Sequence, residues 1–146
     1  MRHLLLFFSL LIFSSFIGEN NKEESILYLE VEGIERVEGN IGVLVFKNEE
    51  GFPKKAEKAV LELEVKVTST RMKIELKDLP FGDYAFCIIQ DINSNKEMDV
   101  NFIGIPKEPY GFSNNPNTFF GMPNFKQALV SFTEKQRSTT IKLVSF

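Results

Sequence analysis

Strict alternation of apolar and polar residues marks two stretches in the middle of the chain. In residues 60–68 (VLELEVKVT), leucines and valines alternate with charged residues, and residues 71–78 (RMKIELKD) show the same pattern. Successive side chains of a β-strand point to opposite faces, so a period of two indicates strands with one buried face and one solvated face. Both stretches are therefore predicted to be strands of an antiparallel sheet.

Five further apolar runs complete the pattern. Two of them are apolar at nearly every position, which is typical of central strands covered on both faces. About seven strands with no convincing helix predict an all-β fold, an antiparallel β-sandwich of immunoglobulin-like or transthyretin-like type, formed by one domain over residues 25–146. The runs are residues 25–33, 127–132 and 138–146, with 41–46 (IGVLVF) and 84–91 (YAFCIIQD) as the central strands.

A long segment before the last two strands, residues 91–124, breaks the strand pattern. Loops of more than about 15 residues are uncommon in compact domains and are usually functional or disordered. This one is too rich in large apolar residues for disorder, so we predict an ordered loop packed by its aromatic side chains. The apolar residues in and just after it are Phe102, Ile103, Ile105, Tyr110, Phe112, Phe119, Phe120 and Phe125.

The first 18 residues (MRHLLLFFSLLIFSSFIG) have a basic head followed by an apolar run and then a polar stretch. The run is shorter than the roughly 20 residues of a membrane span, so we interpret it as a secretory signal peptide, with an uncleaved anchor or buried helix as the alternative. The mature protein is then expected to be exported, periplasmic or secreted, with no membrane span after signal removal.

Export restricts the available chemistry. The single histidine, His3, would leave with the signal, which excludes His-based triads and His-ligated zinc or copper. Cys87 is the only cysteine, so no internal disulfide can form, and we interpret it as a small buried apolar residue. A formal charge of -3 argues against nucleic-acid binding.

The polar start of the long segment has the spacing of a calcium loop. Asp91, Asn93, Asn95 and Asp99 occupy positions one, three, five and nine, where an EF-hand loop places oxygen ligands. Lys96 replaces the usual glycine at position six, and Phe102 replaces the glutamate at position twelve. The pattern predicts a calcium site at these four residues. The alternative is that the Asx side chains cap turns and bind nothing.

Three motifs resemble a bacterial family of exported proteins catalogued as domain of unknown function 2141. They are GFP (residues 51–53), LPFGDYAFCIIQDINSN (79–95) and GIPKEPYGFSNN (104–115), and the resemblance extends over roughly residues 26–144. It implies the sandwich fold and export, and no particular activity. Family members typically have glycine where Lys96 stands, and glycine is common at Pro109. The hallmark residues are Gly104, Pro106, Glu108, Tyr110, Gly111, Phe112, Ser113 and Asn114.

The function most consistent with these features is a non-enzymatic exported sandwich. It is expected to bind a protein partner or glycan of the cell envelope, or a cation, through the 91–124 loop, with Tyr110, Phe112, Phe119 and Phe120 as candidate contact residues if they are exposed. A purely structural envelope protein is one alternative. A carboxylate-based hydrolase is another, with Asp91, Asp99 and Glu108 as the acids.

Overall fold

The computed structural model describes residues 26–145. The signal peptide predicted for residues 1–18 lies outside this range. Two short 3₁₀ helices, Ala56–Lys58 and Phe125–Ala128, accompany eight strands. In chain order, the strands are β1 (Leu27–Glu32), β2 (Asn40–Phe46), β3 (Leu61–Lys66), β4 (Met72–Leu76), β5 (Gly82–Asp91), β6 (Tyr110–Phe112), β7 (Leu129–Phe132) and β8 (Ser138–Lys142).

The strands form two sheets. The smaller sheet has the order β4-β1-β8, in which β1 is antiparallel to β4 and parallel to β8. The larger sheet begins β3-β2-β5, with antiparallel pairs throughout. One edge of the long strand β5 is shared by two short strands: β7 pairs with its first half and β6 with its second half.

The main core lies between the two sheets. Alternate residues of β2 and β5, including Val43, Val45, Phe86 and Ile88, are fully buried against side chains of the smaller sheet. Burying such residues contributes roughly 1.5–3 kcal/mol each before the entropy of ordering is subtracted. Because side chains alternate between the two faces of a strand, the remaining residues of β2 and β5 point away from this core and can support a second layer.

A second hydrophobic cluster occupies that outer face of the larger sheet. Its buried members are Ala85, Tyr110, Phe112 and Ala128, and several half-buried residues from the surrounding loops pack against them. We call this group the outer cluster. It explains why β2 and β5 are apolar on both faces, since the second sheet covers one face and loop residues cover the other.

The predicted all-β sandwich is confirmed, with two corrections. Residues 26–145 contain eight strands rather than about seven, because β6 lies inside the segment predicted to be a loop. The sheets are not wholly antiparallel, because β1 and β8 pair in parallel. Within residues 26–145, no helix is long and apolar enough to cross a membrane.

Candidate functional site

The polar loop that follows β5 is organised around the carboxylate of Asp91. This side chain is only 2% exposed, and its two oxygens accept hydrogen bonds from the backbone N–H of Asn95 (3.2 Å) and of Lys96 (2.7 Å). A buried carboxylate requires such donors, because burying a charge without partners is costly. Asp91 therefore closes the loop upon itself.

Lys96 adopts the backbone conformation that glycine usually supplies at this position. Its φ angle is +66°, and that of Ser94 is +59°. Non-glycine residues reach this left-handed region at a cost of roughly 1–2 kcal/mol. Lys96 therefore takes up a strained backbone conformation, and the hydrogen bonds from its own N–H and that of Asn95 to Asp91 hold this part of the loop in place.

Asn93 and Asn95 connect the loop to Asp99. Their side-chain amides donate to the Asp99 carboxylate at 2.7 and 3.2 Å. The side-chain oxygen of each asparagine accepts a hydrogen bond from the backbone N–H two residues further on, at 3.1 Å for Asn93 and 2.9 Å for Asn95. These are Asx turns, in which a side chain replaces a backbone acceptor.

Glu108 completes the network from the far end of the segment. It is 5% exposed and accepts hydrogen bonds from the backbone N–H of Ile92 (2.8 Å) and of Asp99 (3.1 Å). The motif spacing does not reveal this role, because the contact spans up to sixteen residues. Each of the six carboxylate oxygens of Asp91, Asp99 and Glu108 accepts a hydrogen bond from the loop itself.

The four residues predicted to bind calcium thus lie together in one loop. Within residues 26–145, no three histidine, cysteine or acidic side chains form a group suited to a metal ion. The observed hydrogen bonds are those of the Asx-turn alternative. Calcium binding by Asp91, Asn93, Asn95 and Asp99 stays a prediction that solution measurements must test.

If the Asx-turn alternative holds, millimolar calcium should leave the thermal unfolding temperature of residues 20–146 unchanged relative to chelator. Each carboxylate oxygen already accepts a hydrogen bond from the loop, which is therefore closed without a cation. A ligand at one hundred times its dissociation constant would add about 2.7 kcal/mol of stability, which is easily detected. A calcium-dependent rise that disappears in Asp99→Asn would establish the site instead.

The hallmark residues after Glu108 join the two sheets. Tyr110 exchanges two backbone hydrogen bonds with Val144, at 3.1 and 2.8 Å, which links β6 to the chain end beyond β8. The Ser113 hydroxyl is fully buried, accepts from the Phe86 N–H (2.8 Å) and donates to the Ala128 carbonyl. These contacts give the motif a structural role.

Gly111 and Asn114 reinforce this junction. A Cβ on Gly111 would lie 2.7 Å from Cγ2 of Ile141 and 2.9 Å from the carbonyl oxygen of Lys142, so only glycine fits without displacement. Asn114, with φ +63°, donates its amide to the Gln127 carbonyl at 3.0 Å. Pro106 forms an isolated bridge with Val100, and Gly104 supplies a turn at φ +84°.

An apolar groove of about 560 Å³ lies between the outer face of the larger sheet and the long loop. Its floor comes from β2, β5 and β6. The loop forms one wall and residues 53–56 close one end, while charged side chains of β3 stand at the rim. The main apolar lining residues are Leu44, Cys87, Ile89, Met98, Phe112 and Met122.

The groove was not predicted from the sequence, although one signal pointed to it. The strands at residues 41–46 and 84–91 are apolar on both faces, which requires a cover on the outer side as well as the inner side. Gly42 and Leu44 are only half-buried, so that cover is incomplete. A concave apolar surface of this volume falls within the range of small-molecule sites.

Cys87 lies on the groove floor, where burial disfavours its thiolate. It is half-buried, and desolvation raises the pKa of its thiol from 9.0 to about 12. The thiolate is the reactive form, so at neutral pH this side chain acts as a small apolar residue, as expected from the sequence.

We expect iodoacetamide to alkylate Cys87 about a thousandfold more slowly in the native chain than in urea at pH 8, because the raised pKa leaves about a thousandth as much thiolate. Mass spectrometry of timed samples measures both rates. Similar rates in the two states would show that the thiol is neither desolvated nor shielded.

The aromatic residues of the long loop divide into two groups, which corrects the prediction that all of them pack. Tyr110, Phe112 and Phe125 belong to the outer cluster. Three others, Phe102, Phe119 and Phe120, project into solvent at two turns, together with Ile103.

Comparison with known proteins identifies the family and nothing more specific. The chain has no significant match among curated proteins or among solved structures. Residues 29–140 match the profile of a family described as "uncharacterized protein conserved in bacteria" (DUF2141). This range contains β2 to β7, the Asp/Asn loop and every hallmark residue, and the chain therefore belongs to this bacterial family.

Proposed function

We propose that this protein is an exported, non-enzymatic binding module that holds a mainly apolar small molecule in the groove between the larger sheet and the 91–124 loop. The observation that carries the proposal is the groove itself. Its floor is preformed by three paired strands, and its lining is mostly apolar, with charged side chains contributed by β3, the start of the loop and Lys54. Such sites bind through burial of apolar area, and a few polar groups orient the ligand.

The hydrogen bonds of the loop support a preformed site. Asp91 and Glu108 hold residues 92–99 through buried bonds to backbone N–H groups, and Met98 of this stretch lines the groove. A wall fixed before binding loses little conformational entropy when the ligand enters. The Asp/Asn network thus contributes to binding by positioning the wall.

The same contacts argue against catalysis by the carboxylates. Asp91 and Glu108 are buried, and each of their oxygens accepts a backbone N–H. A general acid or base must exchange a proton with substrate, which requires an accessible oxygen. Cys87, with its raised pKa, offers no nucleophile either. These observations support a binding role.

Titration with an anilinonaphthalene sulfonate dye, followed by competition with a long-chain fatty acid, tests the proposal. The fluorescence of the dye should rise saturably with one site per chain, and the fatty acid should displace it. Leu44→Gln places a polar side chain on the groove floor and should weaken binding by about tenfold.

Val60→Gln is the matched control, since Val60 is exposed outside the groove. It should bind the dye as the unmodified protein does. Equal binding by both variants, or no saturable binding by the unmodified chain, would reject the groove as a ligand site. Far-ultraviolet circular dichroism of each variant verifies that the sheets are intact.

A further inference from the structure

The first of two exposed apolar tips is a small hairpin within the long loop. Val100 and Pro106 bridge its base, and Asn101 orders its turn by accepting from the N–H groups of Ile103 (3.0 Å) and Ile105 (2.9 Å). Phe102 stands at the apex with 98% of its surface exposed. The turn is therefore held by backbone contacts, and its apolar side chain contributes nothing to them.

The second tip is the turn at residues 118–121. The Gly121 N–H donates to the Thr118 carbonyl (3.1 Å), and the Asn117 side chain accepts from the Phe119 N–H (2.9 Å). Phe120 is 92% exposed, and its ring lies 5.0 Å from that of Phe119 between centroids. This turn also presents large aromatic side chains on an ordered backbone.

Both tips lie at the same side of the molecule. Val100 and Gly104 of the first, and Met122 next to the second, line the same groove. Among the described residues, seven of the eleven large hydrophobic side chains that are exposed fall in these two short stretches, and such clustering marks an interaction surface. The seven are Val100, Phe102, Ile103, Ile105, Phe119, Phe120 and Met122.

The tips themselves carry no charge, although the chain as a whole carries -3. Residues 100–106 and 116–125 contain no charged side chain. An exposed lysine follows each tip in the chain, Lys107 after the first and Lys126 after the second, while Asp99 precedes the first tip with both carboxylate oxygens bonded to side-chain amides. Uncharged apolar apices that are each followed by a lysine complement an anionic lipid surface.

The shape of the tips also favours a lipid surface over a folded protein partner. The apices carry phenylalanine and isoleucine, which have no hydrogen-bonding group to select one partner, and their side chains project separately from turns. Several N–H groups of the turns already have acceptors, namely those of Ile103, Gly104, Ile105, Phe119 and Gly121, which reduces the backbone polarity left unpaired below the headgroups.

We propose that these two tips dock the protein on an anionic lipid bilayer. Phe102 and Phe120 enter the boundary between headgroups and acyl chains, and Lys107 and Lys126 contact the lipid phosphates. This inference stands independently of what the groove binds, since the tip side chains belong to neither core cluster.

Sedimentation with lipid vesicles tests the proposal. Residues 20–146 are used, because every described member of both hydrophobic clusters lies within residues 27–143, and circular dichroism verifies that this part folds. The protein should sediment with vesicles of phosphatidylcholine and phosphatidylglycerol in equal parts, and less with phosphatidylcholine alone. Absence of sedimentation with either composition would overturn the proposal.

Tip variants locate the contact. Replacing Phe102 and Ile103 together by serine should reduce vesicle affinity by about a hundredfold, since two large apolar side chains no longer insert. The matched control replaces Val37 and Val60 by serine, which are exposed elsewhere, and should bind unchanged. If the tip variant binds as tightly as this control, the tips are not the docking element.

The two lysines that follow the tips allow a second comparison. Changing Lys107 and Lys126 together to glutamate should weaken binding to the anionic vesicles by about tenfold at low salt and have little effect on phosphatidylcholine vesicles. Equal binding of this variant to the anionic vesicles would contradict the assigned role of the lysines. All of these variants should still bind the groove dye, so a failure here is distinguishable from failure of the proposed function.

The chain contains no tryptophan, so a single introduced tryptophan reports insertion without background fluorescence from other indoles. In Phe120→Trp, the fluorescence maximum should shift to shorter wavelength when anionic vesicles are added, because the indole leaves water. Val60→Trp should show no shift. A maximum that stays unchanged in Phe120→Trp while the protein sediments would show that the second tip remains outside the bilayer.

Discussion

Glu108→Ala is expected to lower the free energy of unfolding by about 3 kcal/mol. The substitution leaves the backbone N–H groups of Ile92 and Asp99 without acceptors at a site that is shielded from water. Hydrogen bonds to a charged group contribute roughly 1.5–3 kcal/mol each, and part of this is recovered when water enters. Urea unfolding followed by circular dichroism measures the change.

Two comparisons make this result specific. Glu97→Ala removes an exposed carboxylate from the same loop and should change stability by less than about 0.5 kcal/mol. Glu108→Gln retains one carbonyl acceptor and should fall between the two. A loss in Glu108→Ala no larger than that in Glu97→Ala would show that the carboxylate does not hold the loop.

Gly111→Ala is expected to cost about 3 kcal/mol, because overpacking displaces the junction between the sheets. The added methyl group would overlap Cγ2 of Ile141 and the carbonyl oxygen of Lys142. The second of these atoms is backbone, so it cannot move away by a rotamer change. The loss should appear as a lower midpoint of urea unfolding and as weaker dye binding, because β6 contributes to the groove floor.

Gly104→Ala is the control that adds the same methyl group without overlap. No atom lies within 4 Å of a Cβ at this position, although its φ of +84° strains a non-glycine residue. We expect a cost of about 1 kcal/mol from this strain alone. If Gly111→Ala is no worse than Gly104→Ala, the close approach of β6 to β8 does not exist in solution.

The fold was largely predictable from local patterns. The exceptions are elements whose formation depends on contacts between residues far apart in the chain. The alternation in residues 60–68 and 71–78 predicted β3 and β4, since one buried face imposes a period of two. The three-residue strand β6 has a glycine at its centre and no alternation long enough to detect. It forms because Cys87 and Ile89 pair with it across the sheet.

The candidate site was predictable in part. The Asx-turn alternative for Asn93 and Asn95 matches the observed hydrogen bonds, because Asx side chains act on neighbours a few residues away, and calcium binding stays a prediction. The burial of Glu108 and the exposure of Phe102 depend on which distant parts of the chain pack over them, and neighbouring residues in the sequence do not reveal this. The aromatic residues were wrongly expected to pack as a group for that reason.

Methyl nuclear magnetic resonance with a saturating long-chain fatty acid tests most directly whether the groove binds a ligand. The resonances of Leu44, Ile89, Met98 and Met122 should shift, because these side chains line the groove. Those of Val37 and Val60, which lie elsewhere on the surface, should not shift. Shifts confined to other methyl groups, or no shifts at all, would contradict a ligand site beneath the loop.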